Sequence, residues 1–147
     1  MLSTVVGSMS YQAPEVITGD RYSPNCDIYA LGIVFYILLC GYPPFDEDNP
    51  AEFNRNVTSG VIPFPSPEWD TISPEAKDLI CKMSHKDPQM RLSAEQVLHH
   101  PLMAIEANSS CDPRVISNLK KLQNKRKLKR CQYAVFALGM LRKNKFD

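Results

Sequence analysis

Residues 27–41 read Asp-Ile-Tyr-Ala-Leu-Gly-Ile-Val-Phe-Tyr-Ile-Leu-Leu-Cys-Gly, and this stretch predicts one helix that is apolar almost all round. We expect Asp27 to cap its N-terminus and Gly41 to end it, just before a pair of prolines. Its apolar run, Ile28–Cys40, would span about 20 Å as a helix, which is less than the roughly 30 Å hydrocarbon core of a membrane. A helix that is apolar on all sides must be covered by other elements, so the stretch predicts the core of a helical domain.

Shorter helices are predicted on both sides of this central helix, because serines, prolines and glycines stand where helices begin and end. They are expected at Pro14–Thr18, between Pro50 and Gly60, at Ser73–Ser84 and at Ser93–Leu98, where His100–Pro101 closes the last one. Between them, Val61–Trp69 is predicted to be a proline-rich extended loop with Phe64 as its aromatic anchor. No strand is predicted, so the chain is expected to be mainly α.

Charge divides the 147-residue chain into an acidic body and a basic tail. Residues 1–113 contain 6 Lys or Arg and 15 Asp or Glu, a balance of −9, whereas residues 114–147 contain 11 Lys or Arg and 1 Asp, a balance of +10. The formal net charge of +1 hides this division. It predicts that the tail docks on the body, binds an acidic partner, or does both.

The five cysteines indicate a reducing compartment, because their number is odd and no Cys-x-x-Cys pair occurs. A disulfide framework and a zinc site are both poorly supported, and the three histidines, His85, His99 and His100, have no ligand partner at suitable spacing. The N-terminus lacks the basic and apolar regions of a signal peptide. We therefore predict a cytoplasmic protein without metal ligands, and a nuclear location stays open.

Five short motifs follow one another at specific spacings. They are Gly7-Ser8-Met9-Ser10-Tyr11-Gln12-Ala13-Pro14-Glu15, Asp27-Ile28-Tyr29-Ala30-Leu31-Gly32, Gly41-Tyr42-Pro43-Pro44-Phe45, Asp87-Pro88-Gln89-Met90-Arg91 and His99-His100-Pro101. In this order they resemble the C-terminal lobe of eukaryotic protein kinases. The calcium/calmodulin-dependent group is the most similar, especially its type II branch and the related calcium-dependent kinases, and the resemblance covers about residues 4–143.

The resemblance implies the helical C-terminal lobe of the protein-kinase fold, without the N-terminal lobe. It divides the chain into a partial kinase domain at residues 1–103, a linker at 104–113 and a basic regulatory helix at 114–147. It also implies that the apolar helix packs on a further lobe helix that this sequence does not contain. Two residues depart from the family's pattern: Tyr29 stands where the family usually has Trp, and Leu102 replaces a usual aromatic residue.

The family's roles transfer to named residues of this sequence. The resemblance places Gly7, Ser8, Tyr11 and Ala13 in the loop that receives the substrate, although Ser8 reads almost equally well as a simple turn hydroxyl. Pro14, Glu15, Asp27, Gly32 and Arg91 are implied to be structural residues of the lobe. Among these, Glu15 is expected to pair with Arg91, and Asp27 to hold the backbone of the catalytic loop. We interpret these charged residues as scaffold and assign no catalytic residue to this chain.

The tail is implied to be an autoinhibitory and calmodulin-binding segment, and its basic amphipathic pattern independently suits the acidic groove of calmodulin with calcium. The candidate binding residues are Lys125, Arg126, Lys127, Leu128, Lys129, Val135, Leu138 and Leu141. Val115 occupies the position of the family's regulatory phosphoacceptor, which leaves that phosphorylation unsupported here. A plain solvated helix, a nuclear-import run and a nucleic-acid binder remain alternatives, the last disfavoured by sparse aromatics and the acidic body.

The motifs that bind ATP and Mg²⁺ and transfer the phosphoryl group do not occur in these 147 residues. There is no GxGxxG loop, no strand lysine, no HRD and no DFG. We therefore expect the chain alone to bind neither cofactor, and ATP and Mg²⁺ are implied only for an intact enzyme containing the N-terminal lobe. Two readings stay open: part of a calcium-regulated Ser/Thr kinase that acts on protein substrates, or a non-catalytic short form that binds calmodulin or substrates.

Overall fold

The computed structural model describes residues 9–20, 23–104, 114–121 and 123–124. Its helices are α1 (Pro14–Thr18), α2 (Asn25–Cys40), α3 (Pro50–Ser59), α4 (Pro74–Met83), α5 (Ala94–Leu98) and α6 (Pro101–Ala104). Residues 114–121 and 123–124 are also helical and are called the tail helix. A short 3-10 turn, Met9–Tyr11, precedes α1. The described part of the chain contains no strand, which confirms the predicted mainly α class.

Helix α2 begins at Asn25, two residues before the predicted start. The amides of Cys26 and Asp27 donate to the carbonyls of Ser23 and Pro24 at 2.9 and 3.1 Å, so the first turn forms around Pro24. Pro24 takes the cap position and offers no side-chain hydrogen bond. The prediction that Asp27 caps the helix was therefore wrong, and Asp27 lies within the first turn. The other end agrees with the sequence, since Gly41 terminates α2 with φ +91°.

The core is organised along one face of α2, because Tyr29, Ile33, Tyr36 and Cys40 follow one another at helical spacings of four, three and four. The N-terminal half of this face, with Tyr29 and Ile33, packs with Ala13, Phe45 and Phe53. The C-terminal half, with Tyr36 and Cys40, packs with Trp69 of the loop before α4 and with Ile80 of α4. The loop that was expected to be anchored by Phe64 has Trp69 as its fully buried residue, with the Tyr36 and Trp69 ring centroids 4.5 Å apart.

The opposite face of α2 is open. The side chains of Leu31 and Val34 are 50% and 39% exposed, although the helix is apolar all round. This is the face expected from a lobe helix whose packing partner is not among the described residues. No helix in the described part of the chain is long and apolar enough to cross a membrane.

Local side-chain signals fix the shorter helices. The Ser73 hydroxyl accepts from the amide of Ala76, and Ser93 forms a reciprocal capping box with Gln96. Both caps confirm predictions. One boundary differs: Pro101 was expected only to close the preceding helix, but it opens α6. The ring of proline fits the first turn of a helix, where no amide donor is needed.

Candidate functional site

The predicted substrate loop runs into α1, and the structure describes its second half. Gly7 and Ser8 lie outside the described residues. The turn Met9–Tyr11 is closed by a 3.0 Å hydrogen bond from the Gln12 amide to the Met9 carbonyl. Ala13 is 1% exposed and packs in the α2 core, so the downstream end of the loop is anchored to the lobe. Tyr11 is half-buried against the same cluster.

Glu15, on α1, meets Arg91, in the turn between α4 and α5. The Nη1 and Nη2 atoms of Arg91 donate to Oε1 and Oε2 of Glu15 at 2.6 and 2.5 Å. The guanidinium and the carboxylate thus form two parallel charge-assisted hydrogen bonds. Both residues are buried, at 5% and 6% exposure. The ion pair therefore joins the end of the predicted substrate loop to the turn between α4 and α5.

The remaining donors of Arg91 bind backbone carbonyls. Nε donates to the His85 carbonyl at 2.7 Å, Nη1 to the Asn25 carbonyl at 3.0 Å and Nη2 to the Lys86 carbonyl at 3.3 Å. The guanidinium also lies 5.1 Å from the ring centre of Tyr29. Every guanidinium nitrogen of the buried Arg91 thus has a hydrogen-bond acceptor, and the residue connects separate segments of the lobe.

A thiol completes the cluster, and sequence reasoning did not assign it a role. The Cys26 Sγ donates to Oε1 of Glu15 at 3.1 Å. Cys26 precedes Asp27 at the start of the apolar stretch, which gave no sign that its side chain would turn toward a carboxylate. Glu15 therefore has a second side-chain donor besides Arg91.

The electrostatics of the cluster do not suit proton transfer near neutrality. Burial alone would raise the pKa of Glu15, but hydrogen bonds from Arg91 and Cys26 outweigh it and hold that pKa below its ordinary value. Burial, with the nearby Glu15 carboxylate, raises the pKa of the Cys26 thiol. Burial also raises the pKa of Tyr29. None of these three groups changes charge near pH 7, which fits a scaffold rather than a catalytic role.

Gly32 allows α2 and α4 to approach closely. A Cβ at this position would overlap the Ser84 hydroxyl and lie 3.0 Å from the Met83 Cβ. The predicted structural residue Gly32 is thus at the contact between the two main helices. Pro14 is buried at the first position of α1, and Asp27 has an exposed side chain with interaction partners.

The tail helix lies on the carboxyl end of α2. The side-chain amide of Asn118 donates to the carbonyls of Leu39 and Leu38, at 2.8 and 3.3 Å. Nearby, Nη1 of Arg114 donates to the Thr71 hydroxyl at 2.8 Å. Sequence reasoning predicted the helix and an acidic body for it to dock on, but it did not single out Asn118. The only signal was a neutral amide within a basic and apolar helix.

Beside this contact, a pocket of about 290 Å³ lies between the tail helix and the loop before α4. Leu39, Pro67 and Ile72 contribute apolar walls, and Glu68 faces the same space as Arg114. The contact is therefore made by a few polar bonds beside a gap, not by a continuous apolar interface. The candidate calmodulin-binding residues, Lys125 to Leu141, lie outside the described part of the chain.

These features define the helical lobe of a protein kinase. The protein kinase domain family matches residues 1–103, and the chain belongs to this family. It is 41% identical over 126 residues, 84% of its length, to calcium/calmodulin-dependent protein kinase type II subunit delta from Oryctolagus cuniculus. It is also 41% identical over 138 residues, 92% of its length, to calcium-dependent protein kinase 12 from Arabidopsis thaliana. The chain spans only 24% and 28% of the lengths of these two relatives.

Proposed function

We propose that this chain is the substrate-binding lobe and regulatory tail of a calcium/calmodulin-regulated Ser/Thr protein kinase. The intact enzyme transfers the γ-phosphate of ATP to a hydroxyl of a protein substrate. Membership of the kinase family and the names of both relatives support this class. The observation that carries the regulatory part is the seating of the tail helix on the carboxyl end of α2.

ATP and Mg²⁺ do not fit the residues of this chain. The sequence lacks the loop, lysine and aspartates that hold them in kinases, and the described residues contain no group of three His, Cys, Asp or Glu side chains that could bind a metal. We derive no phosphoryl-transfer step for the chain alone. Its residues bind and position the protein substrate, while the cofactors belong to the parts of an intact kinase that carry the motifs absent from these 147 residues.

The substrate side of the proposal rests on the loop formed by Gly7, Ser8, Tyr11 and Ala13. Ala13 is buried in the core and Glu15 is locked to Arg91, so the loop has a rigid base from which to hold an extended peptide. The acidic cluster Asp46–Asp48 follows α2 and favours substrates with basic residues. Glu47 and Asp48 have interaction partners in the structure, so part of the charge of this cluster also serves the fold.

The tail side of the proposal is autoinhibition relieved by calmodulin. A basic helix with apolar residues at Leu128, Val135, Leu138 and Leu141 has the composition that fits an acidic groove lined by apolar side chains. The same helix is attracted to the acidic body of this chain. Docking on the lobe and capture by calmodulin with calcium are therefore alternative states of one segment.

We place the protein in the cytoplasm. The three cysteines that the structure describes, Cys26, Cys40 and Cys81, are thiols without disulfide partners, as in a reducing compartment. The basic run of the tail is also suitable for nuclear import.

The test is to isolate the native protein with an antibody against the tail and assay it with ATP, Mg²⁺ and a basic peptide. A species well above 16.6 kDa, active only with calcium and calmodulin, is the expected result. The isolated 147-residue chain, assayed in parallel, should transfer no phosphate. A native species near 16.6 kDa without activity would contradict the enzyme proposal and favour the non-catalytic binding form.

A further inference from the structure

The carboxyl end of α2 presents carbonyls that the helix itself does not satisfy. The last four carbonyls of any α-helix lack an amide partner within the helix. In α2, the Gly41 amide donates to Ile37 at 2.7 Å, which leaves Leu38 and Leu39 as the next acceptors. The Asn118 side chain reaches both of them, at 3.3 and 2.8 Å. Gly41 ends α2, and the side chain of the tail residue Asn118 supplies donors for two carbonyls that the helix leaves without amide partners.

The fit between Asn118 and this helix end is close. A Cβ on Gly41 would come within 3.1 Å of Oδ1 and 3.2 Å of Cγ of Asn118, so the bare glycine backbone makes room for the amide. Asn118 is 8% exposed, whereas its neighbours Ser117 and Leu119 are exposed. The docked state of the tail therefore buries one polar side chain in a site that matches its donors.

We propose that Asn118 is the positioning residue that determines where the tail docks, and that calmodulin must break its contact with α2 to capture the tail. The second half rests on the proposed function. An amide donor suits this site because the carboxyl end of a helix carries partial negative charge. Arg114 supports the same docked state from the side through Thr71.

Distance makes docking and capture exclusive. Asn118 and Asn124 are six residues apart, about 9 Å along a helix, and the basic segment begins at the next residue, Lys125. Calmodulin that encloses the segment from Lys125 onward therefore reaches to within about 9 Å of the seated Asn118, and we expect it to displace Asn118 from α2. By linkage, any loss of docking strength increases the apparent affinity for calmodulin.

Asn118→Asp is the sharpest variant, because it keeps the shape of the side chain but replaces the amide donors with acceptor oxygens facing two carbonyls. Ser117→Ala is the matched control, because it also removes one polar group from the tail helix but at an exposed position. The first readout is hydrogen exchange of the backbone amides of residues 114–121 in the 147-residue chain. The second is a titration with calmodulin in calcium.

We expect Asn118→Asp to speed exchange of residues 114–121 by about tenfold, and to tighten calmodulin binding by a similar factor, since the net value of such polar contacts is of that order. Ser117→Ala should change neither. Unchanged exchange in Asn118→Asp would overturn the docking role of Asn118. Faster exchange with unchanged calmodulin affinity would overturn the proposal that docking on α2 and capture by calmodulin exclude one another. If no variant bound calmodulin but exchange still rose, the proposed function would fail while the docking role of Asn118 stood.

Discussion

Glu15 and Arg91, 76 residues apart in the sequence, are joined by two parallel hydrogen bonds of 2.6 and 2.5 Å inside the lobe. Through this pair, the base of the proposed substrate loop is attached to the turn between α4 and α5. Arg91 extends the connection to the carbonyl of Asn25 at the start of α2. One ion pair therefore holds together three segments that the chain visits far apart in sequence.

Replacing Arg91 with methionine should lower the free energy of unfolding by about 3–5 kcal/mol, because it leaves the buried Glu15 carboxylate without its main partner. Urea titration followed by circular dichroism measures the change. The control is Lys82→Ala, which breaks the half-exposed pair with Asp78 and should cost less than about 1 kcal/mol. Similar losses of unfolding free energy in both variants would show that the buried pair stabilises the lobe no more than the half-exposed pair does.

The pair also predicts an acid dependence of stability. Because the pKa of Glu15 is held below its ordinary 4.5, its contribution is fully present above that value. The contribution decreases as the pH falls through the lowered pKa, where the folded carboxylate takes up a proton. The stability difference between the natural chain and Glu15→Gln should thus be constant from neutrality to about pH 4.5 and shrink below it. A difference that shrinks between neutrality and pH 4.5 would contradict this assignment.

Substituting two different glycines distinguishes the energetic cost of backbone strain from the cost of crowding the tail helix. Gly19 and Gly41 both have positive φ, +80° and +91°, but only Gly41 has a neighbour at the Cβ position, namely Asn118. Gly19→Ala should cost about 1–2 kcal/mol from the left-handed backbone alone. Gly41→Ala should lower the unfolding free energy by more than Gly19→Ala does. In an Asn118→Ala background, where the crowding side chain is absent, Gly41→Ala should no longer show this extra loss. Equal unfolding free energies for the two single variants would contradict the close approach of the tail.

The described cysteines should differ in reactivity. Cys81 is exposed, whereas Cys26 and Cys40 are buried. Burial raises the pKa of all three thiols, that of Cys40 to about 11, so accessibility distinguishes Cys81. Alkylation requires the accessible thiolate, so iodoacetamide should modify Cys81 well before the other two. Peptide mass spectrometry over time measures the order, with the urea-unfolded chain as the control in which the three react alike. Early modification of Cys26 would mean that the Glu15 cluster opens readily.

Most of the fold could be predicted because its signals are local. Ser73 and Ser93 mark helix starts, and Gly41 and Gly60 stand where α2 and α3 end. The boundary errors were also local in origin. The turn around Pro24 starts α2 without a capping side chain, and Pro101 both follows one helix and opens another.

The site was only partly predictable, because its key contacts join distant segments. The Glu15 and Arg91 pairing came from a family resemblance, since no spacing rule relates residues 76 positions apart. The hydrogen bond from Cys26 to Glu15 depends on how the first turn of α2 faces α1. Asn118 meets Leu39 across 79 residues, and its role appears only when the unsatisfied carbonyls of α2 are seen beside it.

The most direct test of the account is a calorimetric titration of the 147-residue chain with calmodulin, in calcium and in chelator. The proposed regulatory element consists of Asn118, seated on α2, and the basic segment after it, so we predict saturable binding in calcium and none in chelator. Equal binding in both conditions would contradict calcium regulation. The absence of binding in calcium, together with salt-sensitive binding to RNA, would contradict the kinase-tail assignment and favour a nucleic-acid partner.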